Sequence, residues 1–177
     1  MIYSLKFRMS LEQHRAAADR IPGARCAIVT VSDSRTKETD DSGKLARILI
    51  EEAGNSISYY GIVPNRPEAL RETLTSCLGA TVDMVLTIGG TGVSARDRTI
   101  ETAREFFDRE MPGFGELFRS LSLPEIGSAV ILTRAAMGIS REGKVVVCTP
   151  GSKAAVRLAL EKIVLKELGH LISELRK

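Results

Sequence analysis

Residues 83–98 read DMVLTIGGTGVSARDR, an apolar run that ends in three closely spaced glycines and an acid between two arginines. The run from Asp83 to Gly90 is short and aliphatic, which is typical of a strand buried on both faces. The glycines predict a tight turn whose backbone N–H groups can approach an anion. Residues 99–110 then have the apolar spacing of a helix, for which Thr99 is a suitable N-cap.

The same alternation of strand and helix precedes this segment. Residues 24–31 (ARCAIVTV) and 56–63 (SISYYGIV) predict two further strands, and a helical pattern follows each of them. We expect the first helix to be capped by Ser42 and to stop at Gly54, and the second to carry Pro67 in its first turn. This order predicts an α/β fold with a parallel sheet and right-handed crossovers.

The second half of the chain has a less regular pattern. Residues 144–149 (KVVVCT) predict another buried strand, whereas residues 128–135 (SAVILTRA) fit a strand or a helix. Lys153–Leu175 predicts a long amphipathic closing helix that is interrupted near Gly169. Without an internal repeat or a linker, the pattern favours one domain.

Composition restricts the function classes. The chain has 177 residues, and 25 Lys and Arg against 22 Asp and Glu give a net charge of +3, which does not indicate nucleic-acid or membrane binding. No apolar stretch approaches the ~18 residues of a membrane span, and the N-terminus lacks the apolar block of a signal peptide. We therefore expect a cytoplasmic protein with an N-terminal extension over 1–23 and a single domain over 24–177.

Cysteines and histidines do not form a recognisable metal or disulfide pattern. Cys26 and Cys148 lie in strand-like runs and Cys77 ends a helical pattern, so we expect buried, reduced thiols. His14 and His170 have no second ligand type at metal spacing. The sequence therefore does not favour a zinc site or a histidine-based catalytic triad.

Four polar loops are expected at the carboxyl ends of the parallel strands, where open α/β sheets collect their ligands. They are residues 32–41, 64–66, 89–98 and 150–152. Residues 90–95 formally satisfy a dinucleotide fingerprint, but they do not follow the first strand or open a helix at once. Asp97 beside Arg96 and Arg98 instead suggests a nucleotide or phosphoester bound together with Mg²⁺.

Several ordered motifs between Arg25 and Leu171 carry a family resemblance. They are VSDSRT, ETDDSG, TIGGTG followed by RDxT, DREMPGFGELFR, SLPEIGSAVILTR and the late PGS. In these motifs the chain resembles the MogA/MoaB family of molybdenum cofactor biosynthesis proteins, on its MoaB side. The resemblance implies a three-layer α/β/α fold with a mostly parallel central sheet. It also implies a homotrimer, with pairing of trimers into hexamers left open.

The resemblance further implies that the chain binds molybdopterin and transfers AMP from Mg²⁺-ATP to its terminal phosphate, releasing pyrophosphate. By similarity, the catalytic positions are Asp97, which is also the metal ligand, and Asn65. The positions implied in binding molybdopterin or nucleotide are Ser32, Asp33, Gly89, Gly90, Thr91, Gly92, Ser94, Arg96, Glu116, Arg134, Pro150, Gly151 and Ser152.

Two departures from the family pattern leave alternatives open. Asn65 stands where active members commonly carry an acid, and Lys153 stands where adenylyltransferases often have a proline. Nearby acids can compensate for Asn65; the candidates are Asp33, Asp40, Asp41 and Glu68. One alternative is a molybdopterin-binding protein of the same fold without turnover. Another is a nucleotide hydrolase or amidohydrolase like the competence-damage protein, which shares the GGTG loop.

Overall fold

The computed structural model describes residues 23–177, so the expected N-terminal extension lies outside the described residues except for Gly23. This part of the chain contains six strands. They are β1 (Arg25–Val31), β2 (Ser56–Val63), β3 (Met84–Ile88), β4 (Phe107–Glu110), β5 (Ala136–Ser140) and β6 (Val145–Thr149). They form one sheet in the order β2-β1-β3-β6-β5-β4.

The sheet is mostly parallel, as predicted. β1 lies between β2 and β3, and β3 lies between β1 and β6, with parallel pairing throughout this half. Only β5 runs against its neighbours, because it pairs antiparallel with both β6 and β4. Every residue of β3 and β6 is buried, which explains why both read as continuous aliphatic runs in the sequence.

Helices cover both faces of the sheet. They are α1 (Asp41–Glu52), α2 (Pro67–Gly79), α3 (Thr99–Arg104), α4 (Pro112–Ile126), α5 (Lys153–Ala159) and α6 (Leu165–Leu175). One apolar cluster joins α1, α4, α5 and α6 to one face, and a second joins α2 and α3 to the other. The three-layer arrangement is therefore confirmed. No helix within residues 23–177 has the length and apolarity needed to cross a membrane.

The three cysteines are buried and unpaired, which confirms the expected state of their thiols. Burial raises the pKa of the Cys26 and Cys148 thiols to about 12. These side chains therefore pack as small apolar groups in the sheet and stay protonated at neutral pH.

The first helix is capped by Asp40, and the expectation that Ser42 caps it was wrong. Asp40 Oδ1 accepts the Gly43 backbone N–H at 2.9 Å. Its Oδ2 accepts the hydroxyls of Thr30 at 2.6 Å and Tyr60 at 2.8 Å. Asp40 is only 2% exposed, so a buried carboxylate joins β1, β2 and α1 through hydrogen bonds. The Ser42 hydroxyl instead donates to the Gly151 carbonyl at 2.8 Å.

The helix predicted over residues 99–110 ends at Arg104, and Phe107–Glu110 forms β4 instead. This segment pairs with β5, a partner distant in sequence whose pairing overrides the local helical spacing. Thr99 does not cap α3, because Arg98 occupies the N-cap position without a side-chain hydrogen bond. The Thr99 side chain is buried inside the first turn.

Two further segments differ from expectation. Most of residues 128–135 belongs to a 3₁₀ helix over Gly127–Leu132, which is neither of the two alternatives considered. In the closing helix, the interruption is a π-helical turn at Leu160–Val164, and Gly169 lies within α6. A π turn needs no glycine or proline, so the sequence carries no simple signal for it.

We expect Asp40→Ala to lower the free energy of unfolding by about 2–4 kcal/mol, because it removes a helix cap and leaves the buried Thr30 hydroxyl and the half-buried Tyr60 hydroxyl without their acceptor. Urea denaturation followed by circular dichroism measures this loss. The neighbouring Asp41→Ala is the matched control, since the exposed Asp41 side chain forms a single ion pair within residues 23–177, with Lys153 at 3.8 Å. It should cost less than about 1 kcal/mol. Equal losses in the two variants would contradict a structural role for the buried carboxylate.

Candidate functional site

The four polar loops expected at the carboxyl ends of the strands lie together at one edge of the sheet. The Ser32 N–H donates to the Val63 carbonyl at 2.9 Å, which joins the loops after β1 and β2. The Gly89 N–H donates to the Thr149 carbonyl at 2.9 Å, which joins the loops after β3 and β6. The strand order therefore assembles one site from segments that are far apart in the sequence.

The glycine turn after β3 depends on two glycines with positive φ. Gly89 has φ +98° and Gly90 has φ +62°, whereas Gly92 has no positive φ. A Cβ added at Gly89 would lie 2.6 Å from the Val31 carbonyl oxygen. One added at Gly90 would lie 2.3 Å from Thr99 Oγ1. Both conformation and space therefore require glycine at these two positions.

Asn65 connects three of the loops. Its backbone N–H donates to Asp33 Oδ1 at 2.9 Å, and its side-chain amide Nδ2 donates to Asp97 Oδ1 at 3.2 Å. The Arg96 guanidinium pairs with the other Asp33 oxygen at 2.5 Å. The structure thus brings the predicted residues Asp33, Asn65, Arg96 and Asp97 into one hydrogen-bonded group, which we call the Asp97 group.

Gly92 lies against the Asp97 carboxylate. A Cβ at Gly92 would lie 2.6 Å from Asp97 Oδ2. Because Asn65 holds Oδ1 and the bare Gly92 backbone leaves room for Oδ2, the position of this half-buried carboxylate is set from two sides.

Arg134 supports the glycine turn through a partner that sequence reasoning missed. Its guanidinium donates to Glu101 Oε1 at 2.5 Å and to the Gly92 carbonyl at 3.4 Å. Burial alone would raise the pKa of the Glu101 carboxyl, but its own backbone N–H and Arg134 outweigh burial and lower this pKa. Glu101 lies two residues into α3, where an acid is ordinary for helix-dipole reasons, so nothing in the sequence singled it out.

The remaining predicted residues surround this centre. Thr91 is buried, and Ser94 is exposed on the loop after Gly92. The Ser32 hydroxyl oxygen accepts the N–H groups of Ser34 and Arg35, so it shapes its own loop.

The loop after β6 lies close to the glycine turn. A Cβ at Gly151 would lie 3.4 Å from the Gly89 Cα. Ser152 caps α5, because its Oγ accepts the Ala155 N–H at 3.2 Å. Pro150 and Ser152 also line a cavity of about 120 Å³ that α4 closes with Phe118 and Ser122.

Glu116 lies on another element, the helix α4. It is exposed in α4, and among residues 23–177 no hydrogen bond joins it to the Asp97 group.

Similarity to known proteins identifies the family of this chain. The model of a protein family described as "Probable molybdopterin binding domain" matches residues 27–170. The chain belongs to the MoaB/MogA family of such domains. A Bacillus subtilis (strain 168) protein named molybdenum cofactor biosynthesis protein B is 47% identical over 171 residues, which cover 96% of this chain and 99% of the relative.

Solved structures of the family superpose on this fold. A crystal structure of molybdenum cofactor biosynthesis protein B matches with a TM-score of 0.85 at 47% identity, covering 89% of this chain and 99% of the other. The tungsten cofactor synthesizing protein MoaB from Pyrococcus furiosus matches with a TM-score of 0.81 at 35% identity, with the same two coverages. The predicted family and fold are confirmed.

We expect Gly92→Ala to weaken molybdopterin binding about tenfold, or about 1.4 kcal/mol, because the new methyl group displaces the Asp97 carboxylate. The free energy of unfolding should change by less than about 1 kcal/mol, since the loop lies outside the core. Isothermal titration calorimetry and urea denaturation measure the two quantities. Gly79→Ala is the matched control, because a Cβ there meets nothing within 4 Å. Wild-type affinity in a folded Gly92→Ala protein would show that binding does not need this carboxylate position.

Proposed function

We propose that this chain acts in molybdenum cofactor biosynthesis by binding molybdopterin at the carboxyl edge of the sheet and transferring AMP from ATP to its terminal phosphate. The observation that carries the proposal is the Asp97 group held directly beside the glycine turn. The names of relatives at 47% identity support the biosynthetic role.

The proposed reaction asks for positioning more than for covalent participation. An oxygen of the molybdopterin phosphate attacks the α-phosphorus of ATP, the bond from that phosphorus to the bridging oxygen breaks, and pyrophosphate leaves with the electron pair. Both reactants are anions, so the protein must hold them in line and offset their charge. The backbone N–H groups of Gly90–Gly92, in the turn that Gly89 begins, and the side chains of Thr91, Ser94 and Arg96 are suited to this task.

The loop after β6 offers a second contact region for the ligand. Gly151 lies against Gly89 of the glycine turn, and Pro150 and Ser152 border the small cavity closed by α4. Ser32 and Asp33 border the site on the β1 side, whereas Glu116 and Arg134 contribute from α4 and the segment before β5.

The Asp97 carboxylate is suited to be the single protein ligand of an Mg²⁺ ion that arrives with ATP. Mg²⁺ sites in phosphoryl-transfer proteins use one or two carboxylates together with substrate phosphates and water. The half-buried Asp97 carboxylate at the mouth of the glycine turn meets that need. When bound, the ion would offset the negative charge of the ATP phosphates.

A second candidate function is molybdopterin binding without turnover, which the bond from Asn65 to Asp97 favours because it satisfies one oxygen of the acid. Incubation of the protein with molybdopterin and Mg²⁺-ATP separates the two functions. Adenylylated molybdopterin and pyrophosphate in equal amounts support the transfer. Tight molybdopterin binding with no product supports the second candidate.

We expect Asp97→Asn to lower the rate of AMP transfer at least about 100-fold, because the amide keeps the shape of the side chain and removes the charge that engages the ion. Circular dichroism should be unchanged, since Asp97 belongs to a surface loop. Rates are measured by quantifying adenylylated molybdopterin. Unchanged turnover in the folded variant would remove Asp97 from the mechanism.

The proposed homotrimer has a candidate interface in α4 and the 3₁₀ helix. Large apolar side chains are exposed there: Leu117, Leu121, Leu123, Ile126, Ile131 and Leu132. Ile131 is the most exposed of the six, at 80%. A surface that carries six large exposed apolar side chains is typical of an interaction site.

We expect Ile131→Glu to shift the mass in light scattering from trimer to monomer at micromolar concentration, because the interface would have to bury a charge. Ile48→Glu is the matched control, since Ile48 is 51% exposed on α1, and it should leave the mass unchanged. A wild-type protein that is monomeric at that concentration would overturn the proposed assembly.

A further inference from the structure

Asn65 is held in one orientation by contacts on three sides. Its backbone N–H is fixed to Asp33, whose other oxygen is paired with Arg96. Its side-chain Oδ1 faces Gly90, where an added Cβ would lie 2.8 Å away. The remaining atom, Nδ2, donates to Asp97 Oδ1 at 3.2 Å. A reversed amide would bring its oxygen against a carboxylate oxygen, two acceptors without a proton between them.

The hydrogen bond from Asn65 to Asp97 places an N–H donor at a position where a metal site needs a negatively charged oxygen. The partially positive Nδ2 satisfies Asp97 Oδ1 without any cation. Both oxygens of Asp33 have partners as well, one on the Asn65 N–H and one on Arg96. Mg²⁺ gives up its water reluctantly and demands several oxygen ligands in octahedral geometry. Across residues 23–177, no three Asp, Glu, His or Cys side chains come together as a group that could hold a metal ion.

We infer that, with an asparagine rather than an acid at position 65, divalent-cation binding depends on the nucleotide: the protein alone lacks, within residues 23–177, a second carboxylate beside Asp97 and does not retain the ion, which enters the site only together with the ATP phosphates. The inference rests on the proposed function in one respect, since it concerns the ion that accompanies ATP. Asn65 is then a positioning residue that keeps Asp97 in place and its charge balanced until the nucleotide arrives. An aspartate at this position would create a pair of carboxylates able to bind the ion in advance.

Mn²⁺ titration followed by electron paramagnetic resonance tests this inference on the full chain. Mn²⁺ replaces Mg²⁺ in oxygen-ligand sites, and its free form is counted directly. Without nucleotide, wild type and Asn65→Ala should bind Mn²⁺ equally weakly. Asn65→Asp should bind it at least about tenfold more tightly, because it adds a second carboxylate at Asp97. The double variant Asn65→Asp with Asp97→Asn should return to the wild-type level, which shows that the gain needs both acids.

A non-hydrolysable ATP analogue supplies the second arm, which does not depend on the folding of Asn65→Asp. In its presence, and after subtraction of the Mn²⁺ that the analogue binds without protein, wild type should bind Mn²⁺ at least about tenfold more tightly than in its absence, and Asp97→Asn should lose most of that gain. Wild-type binding of Mn²⁺ without nucleotide as tight as in Asn65→Asp would overturn the inference. So would tight binding by Asn65→Ala, which would show that the amide blocks a site already complete.

The two arms also separate this inference from the proposed function. A wild type that does not bind the ATP analogue with or without Mn²⁺ contradicts AMP transfer. In that case the comparison of wild type, Asn65→Asp and Asn65→Ala without nucleotide still tests the inference, because it measures the affinity of the protein alone for the ion.

Discussion

The parallel pairing of β3 with β1 on one side and β6 on the other is the constraint on which the candidate site depends. Ile88 lies opposite Thr30 in β1 and Thr149 in β6, so the three strands end at the same level. The Gly89 N–H continues the hydrogen-bond ladder to Thr149, and this contact fixes where the glycine turn begins. A shift of one residue in either pairing would turn the side chains of β3 toward the opposite apolar cluster, because Leu86 and Ile88 pack in the cluster on one face and Val85 in the cluster on the other.

Polar groups at the carboxyl edge of the sheet need hydrogen-bond partners. Asp40, Asp33 and Asp97 each accept hydrogen bonds from another element. Asp40 is buried and accepts hydroxyls from β1 and β2. Asp33 takes the Asn65 N–H and Arg96, and Asp97 takes the Asn65 side chain. The contacts of Asp33 and Asp97 cross between loops, so these charged side chains also fix the relative positions of the loops. Such networks are stable only when every member is satisfied.

The same geometry accounts for the proposed effect of residue 65 on ion binding without a change of fold. Asparagine and aspartate have nearly the same shape, so Asn65 retains the backbone contact to Asp33. What differs is the atom that faces Asp97. An aspartate would present a negatively charged acceptor oxygen there, whereas Asn65 presents an N–H donor. The glycine turn and the Arg134–Glu101 pair behind it do not involve that atom. In the proposed function, ligand binding and ion binding are therefore expected to be separable properties of this site.

The sequence by itself determined the buried parallel strands, the helices α1 and α2 and the loops that form the site, because aliphatic runs, helical spacing and glycines are local signals. It also supplied the family motifs that named Asp97 and Asn65. Tertiary structure alone decided that residues 107–110 form a strand, since their partner β5 is distant in sequence. It likewise decided that Asp40, and not Ser42, caps α1, because Thr30 and Tyr60 stabilise the Asp40 carboxylate in the core. The contact between Asn65 and Asp97 spans 32 residues, and Glu101 gains its partner 33 residues away. Such contacts follow from strand order, which no local pattern encodes.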